Sequence, residues 1–244
     1  MSEVPIARDA VFAYRHPVLS IIVPCLNEAE TILSTLQVLA PLRTRGAEVV
    51  LVDGGSTDAT LAEARPLVDQ VIIATRGRAM QMNAGAAQAR GDILLFLHAD
   101  CQLPAHADGL IADGLNRAQK TWGRFDVTLT GTSAMLNVVS MLMNWRSRLT
   151  GVSTGDQGLF VTRTLFEAAG RFPQIPLMED VALTKTLRRY GAPLNLRHRM
   201  TVSGRRWEKH GVVRTVLLMW RLRFQYWLGA DPCKLAHAYD PRRL

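Results

Sequence analysis

The chain has 244 residues, of which 48% are hydrophobic and 20% are charged. This length allows one large buried core, and this composition excludes an intrinsically disordered chain. The formal net charge of +8 at pH 7 lies at one end, because residues 197–244 hold eleven Lys or Arg against three acidic residues and the rest is balanced.

In chain order, short β-branched runs alternate with helical patterns, which is typical of an α/β protein with a mostly parallel sheet. Strands are predicted at residues 19–23, 49–52, 71–73, 93–97, 125–129 and 158–161. Helices are predicted at residues 28–39, 57–68 (interrupted near Pro66), 79–89, 104–120, 135–143, 165–169, 178–190 and 212–228. No repeat or linker divides the pattern, so residues 1–244 are expected to form one domain.

The cysteines and the N-terminus bear on the cellular compartment. Cys25, Cys101 and Cys233 form no CxxC pair, which argues against a disulfide framework or a zinc site. No basic stretch followed by an apolar core opens the chain, so no secretory leader is expected. Residues 127–145 are uncharged but carry too many Ser, Thr and Asn residues for a membrane span. A cytoplasmic protein is therefore expected.

Polar clusters follow three of the predicted strands. They are residues 27–28 (Asn-Glu), residues 53–58 (Asp-Gly-Gly-Ser-Thr-Asp) and residues 98–100 (His-Ala-Asp). Each cluster alone is as well explained by a turn. Because ligands of open parallel sheets bind at the carboxyl ends of the strands, three clusters at successive strand ends predict one shared binding crevice.

A nucleotide diphosphate suits these residue types. The Asp53 carboxylate can accept hydrogen bonds from a nucleotide base or a ribose, and Ser56 or Thr57 can instead cap the following helix. Arg76 and Arg78 come just before a helix of small residues, where they can supply cations for a diphosphate.

Two further groups suit metal binding and proton transfer. Asp100 is a natural ligand for Mg²⁺ or Mn²⁺, and His98 lies on the same side of an extended segment. Glu179 and Asp180 begin a predicted helix, where acidic residues favour the helix dipole. The alternative role for Asp180 is that of a general base for an acceptor hydroxyl.

Residues 19–28, 49–58 and 94–100 together resemble the donor half of family 2 glycosyltransferases. The similarity continues through residues 155–160 and 178–180 to residues 205–207. Residues 76–85, taken with residues 98–100, are more narrowly similar to the subgroup known as radical-SAM/selenodomain-associated transferases. The resemblance implies the GT-A fold, a Rossmann-like, mostly parallel sheet flanked by helices. Residues 18–130 would then form the donor half, and residues 131–230 the acceptor half with the basic C-terminal helix.

The resemblance also implies roles for individual residues. Five would line the nucleotide pocket: Pro24, Asn27, Glu28, Asp53 and Asp58. Asp100 would bind Mg²⁺ or Mn²⁺, and Asp180 would be the catalytic base, with Glu179 beside it in the acceptor site. Arg206 would contact the diphosphate and Trp207 the acceptor. The expected reaction is transfer from a nucleotide-diphosphate sugar to a small-molecule or lipid acceptor, with inversion at the anomeric carbon.

Alternatives stay open at this point. His98 stands where most of the family has Asp, which weakens the expected metal site and leaves room for a nucleotide-binding protein without catalysis. A sugar-phosphate nucleotidyltransferase is disfavoured because no Gly-rich phosphate loop follows the first strand. The basic C-terminal helix interleaves Arg214 and Arg221 with aliphatic and aromatic residues, which favours a membrane surface over nucleic acid as a partner.

Overall fold

A computed structural model describes residues 19–239, apart from the side chain of Arg206. The strands are β1 (Leu19–Cys25), β2 (Glu48–Asp53), β3 (Gln70–Ile73), β4 (Ile93–Phe96), β5 (Cys101–Gln102), β6 (Trp122–Thr130), β7 (Leu159–Thr162) and β8 (Leu194–Ser203). The helices are α1 (Ala29–Thr44), α2 (Thr60–Ala64), α3 (Arg78–Gln88), α4 (Ala107–Ala118), α5 (Met135–Thr150), α6 (Arg163–Ala168), α7 (Glu179–Leu187), α8 (Arg205–His210), α9 (Val212–Trp227) and α10 (Pro232–Tyr239).

The strands form one sheet in the order β3-β2-β1-β4-β7-β6-β8-β5. The first four positions are parallel to one another, and β7 joins β4 antiparallel. Beyond β7, the β6–β8 pair is parallel, whereas β6 meets β7 and β5 meets β8 in antiparallel fashion. The predicted α/β class with a mostly parallel sheet is confirmed.

Both faces of the sheet are buried. Alternate residues of one strand belong to different hydrophobic clusters: Ile21 of β1 packs with Leu36 and Leu39 of α1, whereas Ile22 packs with Met82 and Ala86 of α3. Side chains point alternately to the two faces of a strand, so a strand covered on both sides is apolar at most positions. The buried Ser20 of β1 and Glu48 of β2 are polar exceptions that hydrogen-bond to each other. Burial of both faces explains the continuous apolar runs that predicted the strands.

Helix α5 is attached to β6 through polar side chains. Asn144 accepts a hydrogen bond from the Val127 N–H (2.8 Å) and donates one to the Val127 carbonyl (2.9 Å). The Ser140 hydroxyl accepts from the Leu129 N–H at 2.8 Å. Strand β7 pairs with β6 only at Trp122 and Gly123, so these side chains satisfy backbone groups farther along β6. Two polar residues of the uncharged stretch, Ser140 and Asn144, thus face inward.

Several predicted boundaries were wrong. The predicted helix over residues 57–68 is the short α2 followed by a 3-10 turn at Arg65–Leu67, because Pro66 cannot continue an α-helix. The sequence did not predict β5, β8, α8 or α10. Among the described residues, no helix combines the length and the apolar character needed to cross a bilayer.

Candidate active site

A cleft of about 940 Å³ lies at the carboxyl ends of β1 and β4. Its walls come from the N-terminal ends of α3 and α7, from the turn that precedes β7, and from α9. Nine of the residues predicted from the sequence line it: Pro24, Glu28, Arg76, Arg78, His98, Asp100, Glu179, Asp180 and Trp207. The sequence prediction of a shared crevice at the strand ends therefore agrees with where these side chains lie.

Asn27, Asp53 and Asp58 do not line the cleft but connect the loops after β1 and β2. Asp53, 1% exposed, accepts hydrogen bonds from the Gly55 and Ser56 N–H groups, both at 2.9 Å, and from the Ser56 hydroxyl. Asn27 has a left-handed φ of 53°, and its side-chain oxygen accepts from the Thr57 N–H at 2.8 Å. These side chains fix the shape of the loop that borders the cleft.

Asp58 extends the same loop network to the start of α1. Its carboxylate accepts from the Thr60 N–H (3.0 Å), from the Thr60 hydroxyl (2.5 Å) and from the Ala29 N–H (3.2 Å). The Thr60 hydroxyl in turn accepts from the Glu28 N–H at 2.8 Å. Glu28 is thereby held at the edge of the cleft, and burial raises the pKa of its carboxyl group.

Helix α3 is fixed to the strand ends by a residue that the sequence did not single out. The buried Gln81 side chain donates to the carbonyls of Cys25 and Val52, both at 2.8 Å. A Cβ at Gly85 would lie 2.5 Å from Ile22, so only glycine allows this close approach. The predicted tight packing of the small-residue helix is confirmed, and it brings the N-terminus of α3 to the cleft.

Arg76 and Arg78 border the cleft at that N-terminus. Arg78 Nη1 lies 3.6 Å from Glu179 Oε1, and Glu179 is only 2% exposed. Burial opposes the charge on Arg78, but Glu179 nearby raises its pKa overall. Glu179 therefore holds a cation of the cleft in place, a role that its predicted position in the acceptor site did not suggest.

His98, Asp100 and Cys101 offer three potential metal-ligand atoms within 4.8 Å of one another. Cys101 is fully buried, and its soft sulfur does not suit Mg²⁺ or Mn²⁺, which prefer oxygen ligands. One imidazole and one carboxylate remain. Since Mg²⁺ and Mn²⁺ take few protein ligands and complete their shells with phosphate oxygens and water, this pair fits such an ion.

Asp180 is held firmly at the first turn of α7. Its Oδ2 accepts the Gly155 N–H and its Oδ1 accepts the Val181 N–H, both at 2.6 Å. A Cβ at Gly155 would lie 2.5 Å from His98 Nε2 and 3.7 Å from Asp180 Oδ2, so this backbone passes between the two side chains. Asp180, the residue predicted as the general base, is therefore a carboxylate held in a fixed orientation at the wall of the cleft.

Three charged residues near Asp180 were not predicted from the sequence: Arg146, Asp156 and Arg223. Asp156 and Arg223 line the cleft, and Asp156 Oδ1 is buried without a hydrogen-bond partner among the described residues. Burial raises the pKa of Asp156, and Asp180 adds to the increase, although a hydrogen bond from Thr154 opposes it. Asp156 lies within residues 155–160, the stretch that carries part of the family resemblance.

The remaining predicted residues lie on α8. Trp207 reaches the cleft, and the neighbouring Arg205 contacts Glu30 of α1. The side chain of Arg206 lies outside what the structure describes, so its predicted contact with the diphosphate stays a prediction.

Solved glycosyltransferase structures share this fold. The chain is similar to S. aureus TarS residues 1–349 in complex with UDP (TM-score 0.63, 20% identity, covering 76% of this chain and 60% of that one). It is also similar to glucosyl-3-phosphoglycerate synthase from Mycobacterium tuberculosis in complex with Mn²⁺, UDP and glucosyl-3-phosphoglycerate (TM-score 0.53, 22% identity, covering 76% and 71%). The predicted GT-A fold is confirmed by these likenesses.

Sequence comparison gives the same family. An undecaprenyl-phosphate 4-deoxy-4-formamido-L-arabinose transferase of Pseudomonas fluorescens (strain Pf0-1) is 33% identical over 175 residues, which cover 61% of this chain and 48% of that protein. The chain thus matches about half the length of this curated relative. The family model "Glycosyl transferase family 2" matches residues 20–160, more than half of the chain. The chain belongs to glycosyl transferase family 2.

Proposed function

We propose that this chain is a metal-dependent, inverting glycosyltransferase that takes its sugar from a nucleotide-diphosphate donor. One observation carries the proposal: a single cleft brings together a metal-ligand pair, two cations and a held carboxylate, namely His98, Asp100, Arg76, Arg78 and Asp180. A diphosphate needs cations, and an acceptor hydroxyl needs a base within reach. Similar structures with bound UDP or UDP-GlcNAc support a nucleotide-sugar donor.

The donor would lie along β1 and the N-terminus of α3. Pro24 and Glu28 border the nucleotide, and the loop shaped by Asn27, Asp53 and Asp58 closes its far side. Arg76 and Arg78, at the positive end of the α3 dipole, face the diphosphate. The narrower sequence similarity at residues 76–85 and 98–100 leads us to infer membership of the radical-SAM/selenodomain-associated subgroup.

His98 and Asp100 would hold Mg²⁺ or Mn²⁺ at the diphosphate. When bound, such an ion stabilises the charge that develops on the leaving diphosphate. His98 lies two residues beyond β4 and Asp100 directly precedes β5, so these two strands fix their position relative to the donor.

Asp180 would act as the base. As the acceptor oxygen forms its bond to the anomeric carbon, the bond from that carbon to the diphosphate breaks, the hydroxyl proton passes to Asp180, and the nucleoside diphosphate leaves. Attack opposite the leaving group inverts the anomeric centre. Trp207 offers an apolar surface for the acceptor, and Glu179 keeps Arg78 in place beside it.

The test is a thermal-shift screen of nucleotide-diphosphate sugars with Mg²⁺ or Mn²⁺, followed by measurement of nucleoside diphosphate release in the presence of an acceptor panel. A true donor raises the melting temperature by mass action, and release depends on an acceptor. Binding without release across the panel would favour the non-catalytic alternative. Release of pyrophosphate from a nucleoside triphosphate and a sugar phosphate would identify a nucleotidyltransferase instead.

We also propose that the enzyme contacts a membrane surface through α9. Large apolar residues of this helix are exposed at helical spacing. The side chains of Trp220 and Trp227 are 63% and 70% exposed, and those of Val213, Leu217 and Phe224 are exposed along the same stripe. Arg214 and Arg221 are exposed beside them. Helix α5 exposes a second apolar stripe: Met135, Val138, Met141, Leu142, Trp145 and Leu149. Exposed aromatic and basic residues on one helix suit an anionic bilayer surface.

Flotation with vesicles tests this contact. Vesicles that contain phosphatidylglycerol should carry the protein upward, and pure phosphatidylcholine vesicles should carry less of it. The Trp220→Ser and Trp227→Ser changes should reduce flotation, since each removes apolar area from the exposed stripe. Flotation that is equal for wild type and for both variants would reject the assignment of this helix.

A further inference from the structure

Two arginines of the acceptor half converge beside Asp180. Arg146 comes from the inner side of α5, and Arg223 comes from the side of α9 that faces the cleft. Among residues 19–239, neither guanidinium lies within 4.0 Å of a carboxylate oxygen. Arg146 Nη1 donates to the Val152 carbonyl at 3.4 Å, whereas Nη2 is buried without a hydrogen-bond partner in the described part of the chain.

The burial of Arg146 and Arg223 as cations lowers the free energy of unfolding. Burial lowers the pKa of Arg146 to about 10, and the proximity of Arg223 contributes to the decrease. Burial also lowers the pKa of Arg223. A buried cation without a close partner is destabilising, and two neighbouring cations repel each other. Such an arrangement becomes more favourable when an anion binds in the cleft beside Arg223.

The acidic groups nearby do not supply that anion. Asp180 and Asp156 face both arginines and attract them electrostatically. However, neither carboxylate forms an ion pair with these arginines: Asp180 accepts backbone N–H groups at 2.6 Å, and Asp156 Oδ1 has no hydrogen-bond partner among the described residues. Within residues 19–239 the guanidiniums thus lie farther from these carboxylates than the 4.0 Å of an ion pair.

Arg146 and Arg223 come from other helices than the arginines assigned to the donor. Arg76 and Arg78 lie at the N-terminus of α3, which packs on β1 and β2, whereas Arg146 and Arg223 come from α5 and α9. They accompany Asp180, the residue at which the acceptor reacts in the proposed function. Since α9 exposes its apolar stripe on another side, the same helix can border the cleft and meet a lipid surface.

We propose that Arg223, which lines the cleft, binds an acceptor that carries a phosphate monoester, and that the positive charge of the nearby Arg146 adds to the attraction. A guanidinium matches the geometry of phosphate oxygens and stays charged at neutral pH. The same chemistry serves a phosphate on a lipid and a phosphate on a small hydroxylated metabolite. The proposal rests on the proposed glycosyl transfer, because it names the acceptor class of that site.

The test is calorimetric titration of the full chain, with UDP and Mn²⁺ present at saturation. One arm uses farnesyl phosphate with farnesol as the neutral counterpart, and the other uses glycerol 3-phosphate with glycerol. At least one phosphate ester should bind, and its neutral counterpart should not. The Arg223→Gln change should weaken that binding by about tenfold or more, since it removes a charge-assisted contact. Arg146→Gln should act in the same direction.

Arg189→Gln is the control, because Arg189 also belongs to the acceptor half but is exposed and does not line the cleft. It should leave phosphate-ester binding unchanged, and Arg223→Gln should leave the affinity for UDP unchanged. The proposal is overturned if neither phosphate ester binds, if neutral alcohols bind equally well, or if Arg223→Gln weakens UDP and phosphate ester alike. Failure of the wild type to bind UDP would instead reject the proposed donor, and phosphate esters can be titrated without UDP to separate the two results.

Discussion

The carboxylates at the two ends of the cleft differ in their hydrogen-bond partners. Next to the nucleotide end, Asp53 and Asp58 bind backbone N–H groups and hydroxyls of their own loops and do not line the cleft. At the acceptor end, Asp180 and Asp156 line it, and Asp156 Oδ1 has no hydrogen-bond partner among residues 19–239. The same residue type thus builds a loop in one region and faces the ligand in the other.

A polar residue that follows a strand can therefore either stabilise its own loop or bind a ligand. A carboxylate near free backbone N–H groups satisfies them first, and it then stabilises the loop. A carboxylate held by only one N–H group per oxygen, at the wall of a cleft, retains acceptor capacity for a ligand. Substitutions in the two regions should therefore change different measured quantities.

The largest effect is expected for Asp180→Asn. An amide cannot take the proton of the acceptor hydroxyl, so turnover should fall by about 10²- to 10⁴-fold. The melting temperature and the affinity for UDP with Mn²⁺ should stay close to those of the wild type, because Asp180 does not contact the donor in this account. Steady-state release of nucleoside diphosphate is the measurement, and near-normal turnover would show that another group is the base.

A smaller loss of turnover is expected for Gly155→Ala. The added Cβ would lie 2.5 Å from His98 Nε2, so the imidazole or the backbone must move. Displacement of catalytic groups by about 1 Å can reduce the rate by about 10²-fold. Both Mn²⁺ binding and turnover should decrease. The matched control is Gly109→Ala, whose Cβ meets no neighbouring atom and whose backbone, like that of Gly155, has no positive φ; equal activity of the two variants would contradict the assigned crowding.

The smallest effect on turnover, but a clear effect on stability, is expected for Asp53→Asn. An amide oxygen and an amide nitrogen cannot accept all the donors that now converge on this carboxylate, so the free energy of unfolding should fall by about 1–3 kcal/mol. Urea denaturation measures the change. Asp58→Asn, at an exposed position, should shift the urea midpoint less. A fully stable Asp53→Asn protein with lost UDP binding would assign Asp53 to the nucleotide instead of the loop.

The donor half could be predicted from the sequence because its signals are local. Glu28 and Asp100 lie three and four residues beyond the ends of the buried strands β1 and β4, and parallel strands bring such residues to one edge. The family resemblance then assigned them a chemistry. Asp180 was placed in the same way, by the motif at the start of α7.

The acceptor end could not be predicted in the same way. Arg146 and Arg223 reach Asp180 only because α5 and α9 pack beside the turn at Gly155–Gln157, a long-range arrangement that helical periodicity does not encode. Gln81 was missed for a similar reason, since its two partners are backbone carbonyls of different strands. Strand β8 was missed because Arg197, His198 and Arg199 interrupt its apolar pattern.

We propose that one cleft holds a divalent ion and a nucleotide diphosphate beside Asp180. The decisive measurement is calorimetric titration of UDP into the wild type and into Asp100→Ala, each with and without Mn²⁺. Mn²⁺ should strengthen UDP binding to the wild type, and Asp100→Ala should remove this gain while the protein stays folded. UDP binding that does not depend on Mn²⁺, or a gain that survives in Asp100→Ala, would contradict the proposal.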